Sequence, residues 1–380
     1  METSLLSVIR SFLPYFFGIM VISVQAGELP FCAETLNKVD FPVIYRPEYN
    51  VSFGPLDYLH AFDGSKYGHV ADKIAAYIKM PISDCCSGTK NKNVHRYSGH
   101  DWNRLFNYTF YKPEEVSYQD LRLIHTEQYL NSDLKDSSIV ARIVEITALS
   151  WLPNSFLQSR ILKPMRYATG GTILGAKLAL RYGKAINLAG GYHHAKPTKG
   201  EGFCVYADIP IAIQVLWKEN PNLKVMVIDL DAHQGNGVAE SLKDELSSPN
   251  PRLALFDVYN SARYPGPWDG TRKYISYNHP ASEGIGDQEY RCIVESCLPA
   301  ALDAFKPGLI IYNAGTDIFA GDTVGGMNVS KDGIIARDQF VFEQAKSRST
   351  PILMVLSGGY TQKSADIIAD SIINLTSLYK

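Results

Sequence analysis

Apolar runs alternate with amphipathic segments along most of the chain, and several of the runs end abruptly in glycine and polar residues. Short β-branched runs of this kind predict strands that are buried on both faces of a sheet. The predicted strands are residues 43–45, 185–189, 225–230, 253–258, 309–313 and 352–356. The predicted helices are residues 67–80, 208–219, 288–305, 332–346 and 364–378. Strands that alternate with helices predict an α/β fold with a mostly parallel central sheet and helices on both faces.

The strand predicted at 225–230 is followed at once by two acids, a histidine and a glycine-rich turn. Ligands of open α/β sheets bind at the carboxyl ends of the strands, so these side chains are candidates for chemistry. Asp231 and His233 alternate with Ala232, and in extended backbone their side chains would leave the same face. A carboxylate and an imidazole that converge on one point suit a divalent metal such as zinc. Alone, the pair is equally compatible with a helix-capping Asp and a surface His.

Three other predicted strands end in residues of the same chemical kind. His193 and His194 follow 185–189, Asp317 follows 309–313, and Tyr360 follows 352–356, with glycines beside most of them. Each has an ordinary explanation as a turn pair, a helix cap or a core aromatic. Together they predict an Asp/His/Asp metal site with two imidazoles and a phenol, which is the equipment of metal-assisted hydrolysis.

Composition limits the other classes of function. The chain has 380 residues, 46% of them hydrophobic, so it can bury a large core, and no internal repeat or linker divides it. Its formal charge is −2 and it has no dense basic run, which argues against direct nucleic-acid binding. The six cysteines include no Cys-x-x-Cys pair, so neither a disulfide scaffold nor a zinc ribbon is indicated.

The amino terminus differs from the rest of the chain. Residues 1–27 contain an apolar run preceded by Arg10 and followed by small residues, as in a signal peptide or anchor. Residues 28–380 are predicted to form one catalytic domain, with a polar excursion at about 84–111. The excursion contains Cys85, Cys86, His95 and His100, but their spacing is not that of a zinc finger.

Four motifs together resemble those of the zinc-dependent histone deacetylases, and they occur in the order of that family. They are Gly-Gly-Tyr-His-His-Ala from Gly190, Asp-Leu-Asp-Ala-His-Gln-Gly-Asn-Gly from Asp229, Tyr-Asn-Ala-Gly-Thr-Asp-Ile from Tyr312, and Ser-Gly-Gly-Tyr from Ser357. Among the classes, the chain is most like class IV, the histone deacetylase 11 branch. The resemblance implies the three-layer arginase/deacetylase-like fold and a role in chromatin regulation.

The resemblance implies hydrolysis of the amide of N6-acyl-lysine in proteins. Asp231, His233 and Asp317 would hold Zn²⁺, which polarises the substrate carbonyl and lowers the pKa of the attacking water. Tyr360 would donate its hydroxyl to the developing oxyanion, and His194 would act as the general base. His193 would be a supporting imidazole held by Asp229, since Asp229 lies two residues before Asp231 and points the same way from the strand end.

One departure from the commoner pattern favours class IV. Other classes place an Asp near the second histidine, whereas this chain has Asn236, as class IV members do. A neutral amide orients an imidazole but does not favour its protonated form. Gly202 and Phe203 resemble the wall of the family's lysine tunnel, and Tyr264 resembles its opposite lip.

The resemblance also bears on cofactors, partners and compartment. The family implies a monovalent cation (K⁺) beside the zinc, held partly by carbonyls near Asp229 and Asp257. The partner is an acylated lysine side chain, with acetyl and long-chain fatty acyl groups both open. The family implies the nucleus or cytoplasm, whereas residues 1–27 suggest the secretory pathway or a membrane, contacted only through that segment.

Two alternatives remain open from the residues. The first is a ureohydrolase-like amidohydrolase with two manganese ions, which needs additional bridging carboxylates around the Asp-x-His. The place where such a carboxylate would help is occupied by Asn236. The second alternative is a catalytically inactive scaffold that binds acyl-lysine.

Overall fold

The computed structural model describes residues 41–54, 63–79 and 111–378. The predicted leader at 1–27 lies outside these ranges, as does the polar excursion apart from Tyr111, including its cysteines and histidines. Within the described ranges, no helix combines the length and the apolar character needed to span a membrane.

The centre of the domain is a seven-stranded sheet in the order β1-β2-β7-β6-β3-β4-β5. Its strands are β1 (Val43–Ile44), β2 (Lys184–Asn187), β3 (Val225–Asp229), β4 (Leu253–Asn260), β5 (Tyr277–Ala281), β6 (Leu309–Asn313) and β7 (Ile352–Val355). Every neighbouring pair is parallel. The carboxyl ends of all these strands therefore lie along the same edge of the sheet.

Helices are the other main elements of the described residues. They are α1 (Lys66–Lys79), α2 (Tyr118–Leu121), α3 (Glu127–Asn131), α4 (Ser137–Ile143), α5 (Asn154–Leu157), α6 (Lys163–Tyr182), α7 (Asp208–Glu219), α8 (Asn236–Ser241), α9 (Lys243–Leu246), α10 (Asp287–Phe305), α11 (Lys331–Ser347) and α12 (Ser364–Ser377). Short 3₁₀ segments cover Pro47–Tyr49, Asp133–Lys135, Thr147–Trp151 and Gly270–Tyr274, and Gln158–Leu162 is π-helical.

The alternation of side chains along the strands produces the three layers. In β3, Met226 and Ile228 pack into one hydrophobic cluster, whereas Val225 and Val227 pack into the other. Successive side chains of a strand point to opposite faces, so a run that is apolar at every position needs a cover on both sides. Helices α10, α11 and α12 contribute to the first cluster, and α6 and α7 contribute to the second. The predicted parallel sheet between two helical layers is confirmed.

The predicted strands and helices are present within the described residues, with ends shifted by at most two residues. Helix α6, strand β5 and the short helices α2, α3, α4, α5, α8 and α9 were not predicted. Helix α6 has glycines in its interior, which lower helix propensity, but they are needed for close packing: a Cβ on Gly170 would lie 1.9 Å from Glu114 O and one on Gly171 1.9 Å from Tyr49 Oη. Strand β5 contains Pro280, which a sheet tolerates because β5 is an edge strand.

A buried arginine ties together the ends of two central strands. Arg337 of α11 donates to Leu230 O at 3.0 Å and to Gly315 O at 2.7 Å, directly after β3 and β6. Its charge is paired with Asp338 at 2.8 Å, and both side chains are buried. A buried cation is stable only when it is paired and its donors are satisfied. The pair therefore fixes the relative position of the two chain segments that follow β3 and β6 at the carboxyl edge of the sheet.

Candidate metal and catalytic site

The four strand ends singled out in the sequence belong to neighbouring strands. Strands β2, β7, β6 and β3 are consecutive in the sheet, so their carboxyl ends stand side by side. The turns that follow them carry the His pair, Tyr360, Asp317 and Asp231. Sequence order alone does not give this adjacency, and the sheet topology supplies it.

Asp231, His233 and Asp317 form a compact buried group. The three side chains offer ligand atoms that all lie within 4.8 Å of one another. His233 Nδ1 is 3.0 Å from Asp231 Oδ1 and 2.9 Å from Asp317 Oδ2. No other group of three such side chains could share an ion in the described part of the chain.

These ligands converge for a different reason from the one expected. The prediction of alternation along extended backbone is wrong, because β3 ends at Asp229 and Asp231 and His233 lie in the bend that follows. The bend is held by side-chain acceptors: Asp231 N donates to Asp229 Oδ1 at 3.2 Å, and His233 N donates to Asp231 Oδ1 at 2.9 Å. Asp and Asn side chains often form such turns with the backbone two residues later.

The donor set fits a divalent cation. Burial and the neighbouring Asp231 raise the pKa of Asp317 to about 7, so two carboxylates at this spacing resist being charged together. His233 Nδ1 contacts both carboxylates but can carry one proton at most. A divalent ion between these atoms would neutralise both carboxylates and accept the imidazole lone pair, with the Asp and His ligands that zinc uses.

The two histidines occupy a tight turn after β2. Gly191 has a φ of 84°, and a Cβ at this position would lie 2.4 Å from Asn313 Oδ1, so only glycine fits. The buried carboxylate of Asp208 accepts the amides of Gly191 at 2.9 Å and Tyr192 at 2.8 Å. Asp208 therefore holds the backbone that orients the pair, although it lies outside the four motifs.

The two imidazoles have different partners. His193 Nδ1 lies 2.8 Å from Asp229 Oδ2, which is the contact expected from the sequence. His194 Nδ1 lies 2.8 Å from Asn236 Oδ1. The ring centroids are 4.0 Å apart, so the charge of one ring acts strongly on the other.

These environments move the two histidine pKa values in opposite directions. Burial opposes protonation of His193, but the carboxylates of Asp229 and Asp231 outweigh it and raise its pKa to about 9. For His194, burial and the positive charge on His193 and His233 lower the pKa well below its usual value. Near neutral pH the first ring is therefore a cation and the second is a free base.

Tyr360 lies on the segment that follows β7 and faces the metal-ligand group. Its ring centroid is 6.3 Å from that of His233 and 5.9 Å from that of Phe203. Gly358, two residues earlier, donates its amide to Asp231 Oδ2 at 2.9 Å. Burial and the charges of Asp317 and Asp231 raise the pKa of Tyr360 well above its usual value, so its hydroxyl keeps its proton.

The residues expected to contact substrate surround the second histidine. Gly202 and Phe203 both have positive φ, 50° and 63°, and a Cβ on Gly202 would lie 2.8 Å from His194 Cδ2. Tyr264 is partly exposed, packs edge-on to His194 at 4.8 Å between centroids, and donates its hydroxyl to Glu201 at 2.6 Å. Gly202 from the predicted wall and Tyr264 from the predicted lip therefore both lie against His194.

A pocket extends inward from the His pair, Phe203 and Tyr360. Besides these residues, its walls are mostly apolar or backbone, and they include Val51, Phe53, Tyr67, Val144, Met165 and Cys204. These residues come from segments distant in sequence, so no motif could identify them. The pocket therefore has mostly apolar walls and lies beside Tyr360 and the His pair.

Comparisons with known proteins agree with this geometry. The family model described as "Histone deacetylase domain" matches residues 89–376. Histone deacetylase 2 of Arabidopsis thaliana is 40% identical over 341 residues, which cover 90% of this chain and 79% of that protein. Human histone deacetylase 1 is 28% identical over 275 residues, which cover 68% of this chain and 55% of that protein.

A solved structure is also similar. The crystal structure of the HDA15 HD domain superposes with a TM-score of 0.65, and the match covers 88% of each chain. The sequence identity is 20%, so this similarity supports the fold and not a particular substrate.

Proposed function

This chain belongs to the histone deacetylase family, and on that premise we propose that it is a zinc-dependent hydrolase of N6-acyl-lysine in proteins. The observation that carries the proposal is the buried Asp/His/Asp group with two imidazoles beside it, one held by Asp229 and the other by Asn236, whose pKa values shift in opposite directions. Adjacent titratable groups with opposite shifts are the usual mark of separate roles in proton transfer. A scaffold that only binds acyl-lysine needs neither feature.

The proposed roles follow from the contacts of each side chain. Asp231, His233 and Asp317 would hold Zn²⁺, which when bound polarises the amide carbonyl and makes water a stronger acid. His194, neutral at pH 7, takes the proton of the attacking water and later returns one to the lysine amine. Tyr360 donates a hydrogen bond to the carbonyl oxygen as negative charge develops there.

His193 serves a supporting role in this proposal. Its contact with Asp229 keeps it protonated, and its positive charge lowers the pKa of the adjacent His194. A more acidic imidazolium at His194 is a better proton donor to the leaving amine. Asp229 therefore acts on the reaction through two successive imidazoles.

We extend the proposal to a monovalent cation, K⁺, beside this site. Asp257 is buried next to Asp229, and burial together with that carboxylate raises its pKa. Its Oδ2 accepts the amide of Gly235 at 3.0 Å, whereas its Oδ1 has no hydrogen-bond partner among the described residues. A buried oxygen without a donor is an unfavourable arrangement that a cation would relieve.

Class IV membership and acyl preference are further parts of the proposal. Asn236, in contact with His194, supports the class. The pocket next to Tyr360 has mostly apolar walls, which suits the acyl chain of a substrate, and a comparison of acetyl-lysine with myristoyl-lysine peptides tests which chain length it accepts. Substrate lysines would be in histones or other proteins.

Two considerations bear on the compartment. Family membership supports the nucleus and cytoplasm, and the apolar run within residues 1–27 supports the secretory pathway or membranes. Fluorescent fusions of the full chain and of a chain without residues 1–27 distinguish them, since a functional leader makes the two distributions differ.

The proposal predicts zinc-dependent hydrolysis of acyl-lysine peptides by the purified full chain. Acetyl-lysine and myristoyl-lysine peptides are offered before and after removal of metal with a chelator. We expect chelation to lower the rate at least ~100-fold, because metal polarisation supplies several kcal/mol. One equivalent of Zn²⁺ should restore the activity.

Other outcomes of this assay have definite meanings. Restoration that requires two equivalents of Mn²⁺ would instead favour the binuclear ureohydrolase-like alternative. The absence of hydrolysis by zinc-loaded protein on both peptides would contradict the proposed function and favour a binding scaffold.

The Asn236→Asp substitution tests the assignment of the general base. The new carboxylate would stabilise protonated His194 and raise its pKa, so the acidic limb of the kcat profile should move to higher pH. The side chain keeps its shape and the oxygen that contacts His194 Nδ1, so that contact is retained.

The control for added charge is Asn278→Asp, on the exposed edge strand β5, which should leave the limb in place. A limb that is the same in wild type and Asn236→Asp would show that a different group governs it.

A further inference from the structure

The segment that carries Tyr360 lies outside regular secondary structure and contains strained backbone. Ser357 has a φ of 50° and Gly359 a φ of 138°, and residues 356–360 belong to no helix or strand. A non-glycine residue in the left-handed region is strained, and such conformations persist only where surrounding contacts over-determine them. The contacts that hold this segment therefore decide where the Tyr360 hydroxyl lies.

One of these contacts comes from a buried carboxylate outside every motif of the sequence. Asp322, 4% exposed, accepts the amide of Tyr360 on Oδ2 at 2.7 Å. Its other oxygen accepts the amides of Val324 at 3.0 Å and Gly325 at 3.3 Å. Both oxygens are thus used as acceptors, and an asparagine could serve only one of the two sides.

A second contact comes from a buried ammonium group, opposite in charge to Asp322. Lys66, at the start of α1 and 1% exposed, donates from Nζ to Ser357 O at 2.9 Å and approaches Gly359 O at 3.5 Å. A buried ammonium is unfavourable unless its protons find acceptors, so these carbonyls are fixed relative to α1. An anion holds the amide at Tyr360, and a cation holds the carbonyls that precede it.

We propose that Asp322 and Lys66 are positioning residues that hold Tyr360 where its hydroxyl reaches the reacting carbonyl oxygen. The inference rests on the proposed function. Neither side chain needs to touch the substrate, because both act through the backbone on either side of Tyr360. Misplacement of a catalytic group by about 1 Å lowers rates on the order of 100-fold, so loss of either contact should reduce turnover strongly.

The expected kinetic signature is specific to this role. The Tyr360 hydroxyl interacts with charge that develops in the transition state, so its displacement lowers kcat and leaves KM nearly unchanged. Zinc content should also be unchanged, because neither side chain belongs to the Asp231, His233 and Asp317 group.

A double-mutant cycle in the zinc-loaded full chain tests the inference. It compares wild type, Asp322→Asn, Tyr360→Phe and the double variant on an acetyl-lysine peptide. We expect Asp322→Asn to lower kcat about 10- to 100-fold in the wild-type background. In the Tyr360→Phe background, where the hydroxyl is already absent, the same substitution should change kcat less than about twofold.

A matched control is Asp287→Asn. Asp287 also accepts backbone and side-chain donors of a loop residue, Ser330, at 2.7 and 2.6 Å, but it makes no contact with the Tyr360 segment. Asp287→Asn should leave kcat within about twofold of wild type, because Asp287 holds the Ser330 loop and not the Tyr360 segment.

Lys66 provides a second, independent cycle. Lys66→Met should lower kcat. Lys66→Arg, which keeps a positively charged donor, should retain much of the wild-type kcat. If Asp322→Asn does not yield folded protein, the cycle of Lys66→Met with Tyr360→Phe decides the question in the same way.

The outcomes separate this inference from the proposed function. An inactive zinc-loaded wild type would be a failure of the proposed function itself. Active wild type with equal losses from Asp322→Asn in both backgrounds, or with no loss in either, would overturn the positioning role. A loss of kcat that Asp322→Asn causes in the wild-type background but not in the Tyr360→Phe background supports it.

Discussion

Replacement of Asp317 by asparagine is expected to weaken zinc binding on the order of 100-fold. Zinc held by four protein ligands is bound with about 10–16 kcal/mol, so one ligand of this kind contributes roughly 3 kcal/mol. The side chain keeps its size and one acceptor oxygen for Ala232 N, but it loses the charge that faces the ion. Zinc competition against a chromophoric chelator measures the affinity, and activity at equimolar zinc should fall in parallel.

The same substitution should have the opposite effect on the stability of zinc-free protein. The pKa of Asp317 is about 7 in the folded chain and 3.8 as its ordinary value, so folding disfavours the charged form. Stability contributed by the neutral form is present below about pH 4 and is lost as pH rises to about 7. Asp317→Asn should therefore raise the Tm of zinc-free protein at pH 7.5 and change it little near pH 4.

The two effects together make a demanding test. Zinc-free Asp317→Asn should unfold at a higher temperature than zinc-free wild type, whereas the gain in Tm upon zinc addition should be smaller in the variant. An Asp→Asn change at exposed Asp244 of α9 serves as the control and should shift neither quantity. If zinc protects the variant as strongly as wild type, Asp317 is not a ligand.

The fold and the centre of the site were predictable because their signals are local. Strands buried on both faces must be apolar at every position, as in β3 and β6, and parallel strands place their carboxyl ends at one edge. Asp231, His193 and Tyr360 each follow such a strand closely. Residue type and position at a strand end were therefore enough to bring them together.

The supporting residues could not be predicted because their contacts are distant in sequence. Lys66 lies 291 residues from Ser357 and Asp322 lies 38 residues from Tyr360, and neither stands in a recognisable motif. Their roles depend on which segments pack against each other above the sheet. Nothing in the types of neighbouring residues distinguishes Asp322 from an ordinary surface acid.

Helix α6 shows a conflict between local preference and packing. Its interior contains glycines that weaken the helical pattern, but Gly170 and Gly171 allow residues 114 and 49 to approach the helix backbone. Tertiary contacts override propensity at these positions. The approach brings Tyr49 to Asn187 at 2.8 Å, at the end of the strand that leads to the His pair.

Tyr360→Phe is expected to lower kcat about 100- to 1000-fold, as removal of one oxyanion donor does in other hydrolases. KM should change little, because the hydroxyl acts on charge that exists in the transition state and not in bound substrate. The pKa of Tyr360 is held well above its usual value by burial and by Asp317 and Asp231. The hydroxyl therefore keeps its proton throughout the assay range. The ratio of wild-type kcat to Tyr360→Phe kcat should be the same at pH 6 and pH 9.

The pH independence distinguishes this role from that of a titrating acid. If Tyr360 instead supplied a proton with a pKa near neutrality, wild type would lose rate above that pKa and the difference from Tyr360→Phe would shrink. Tyr206→Phe, which removes another buried hydroxyl, one that contacts Arg166, controls for the loss of a phenol and should keep kcat near wild type. If both variants bind as much zinc as wild type, the metal-ligand group is intact. The loss of kcat in Tyr360→Phe is then due to the missing hydrogen bond.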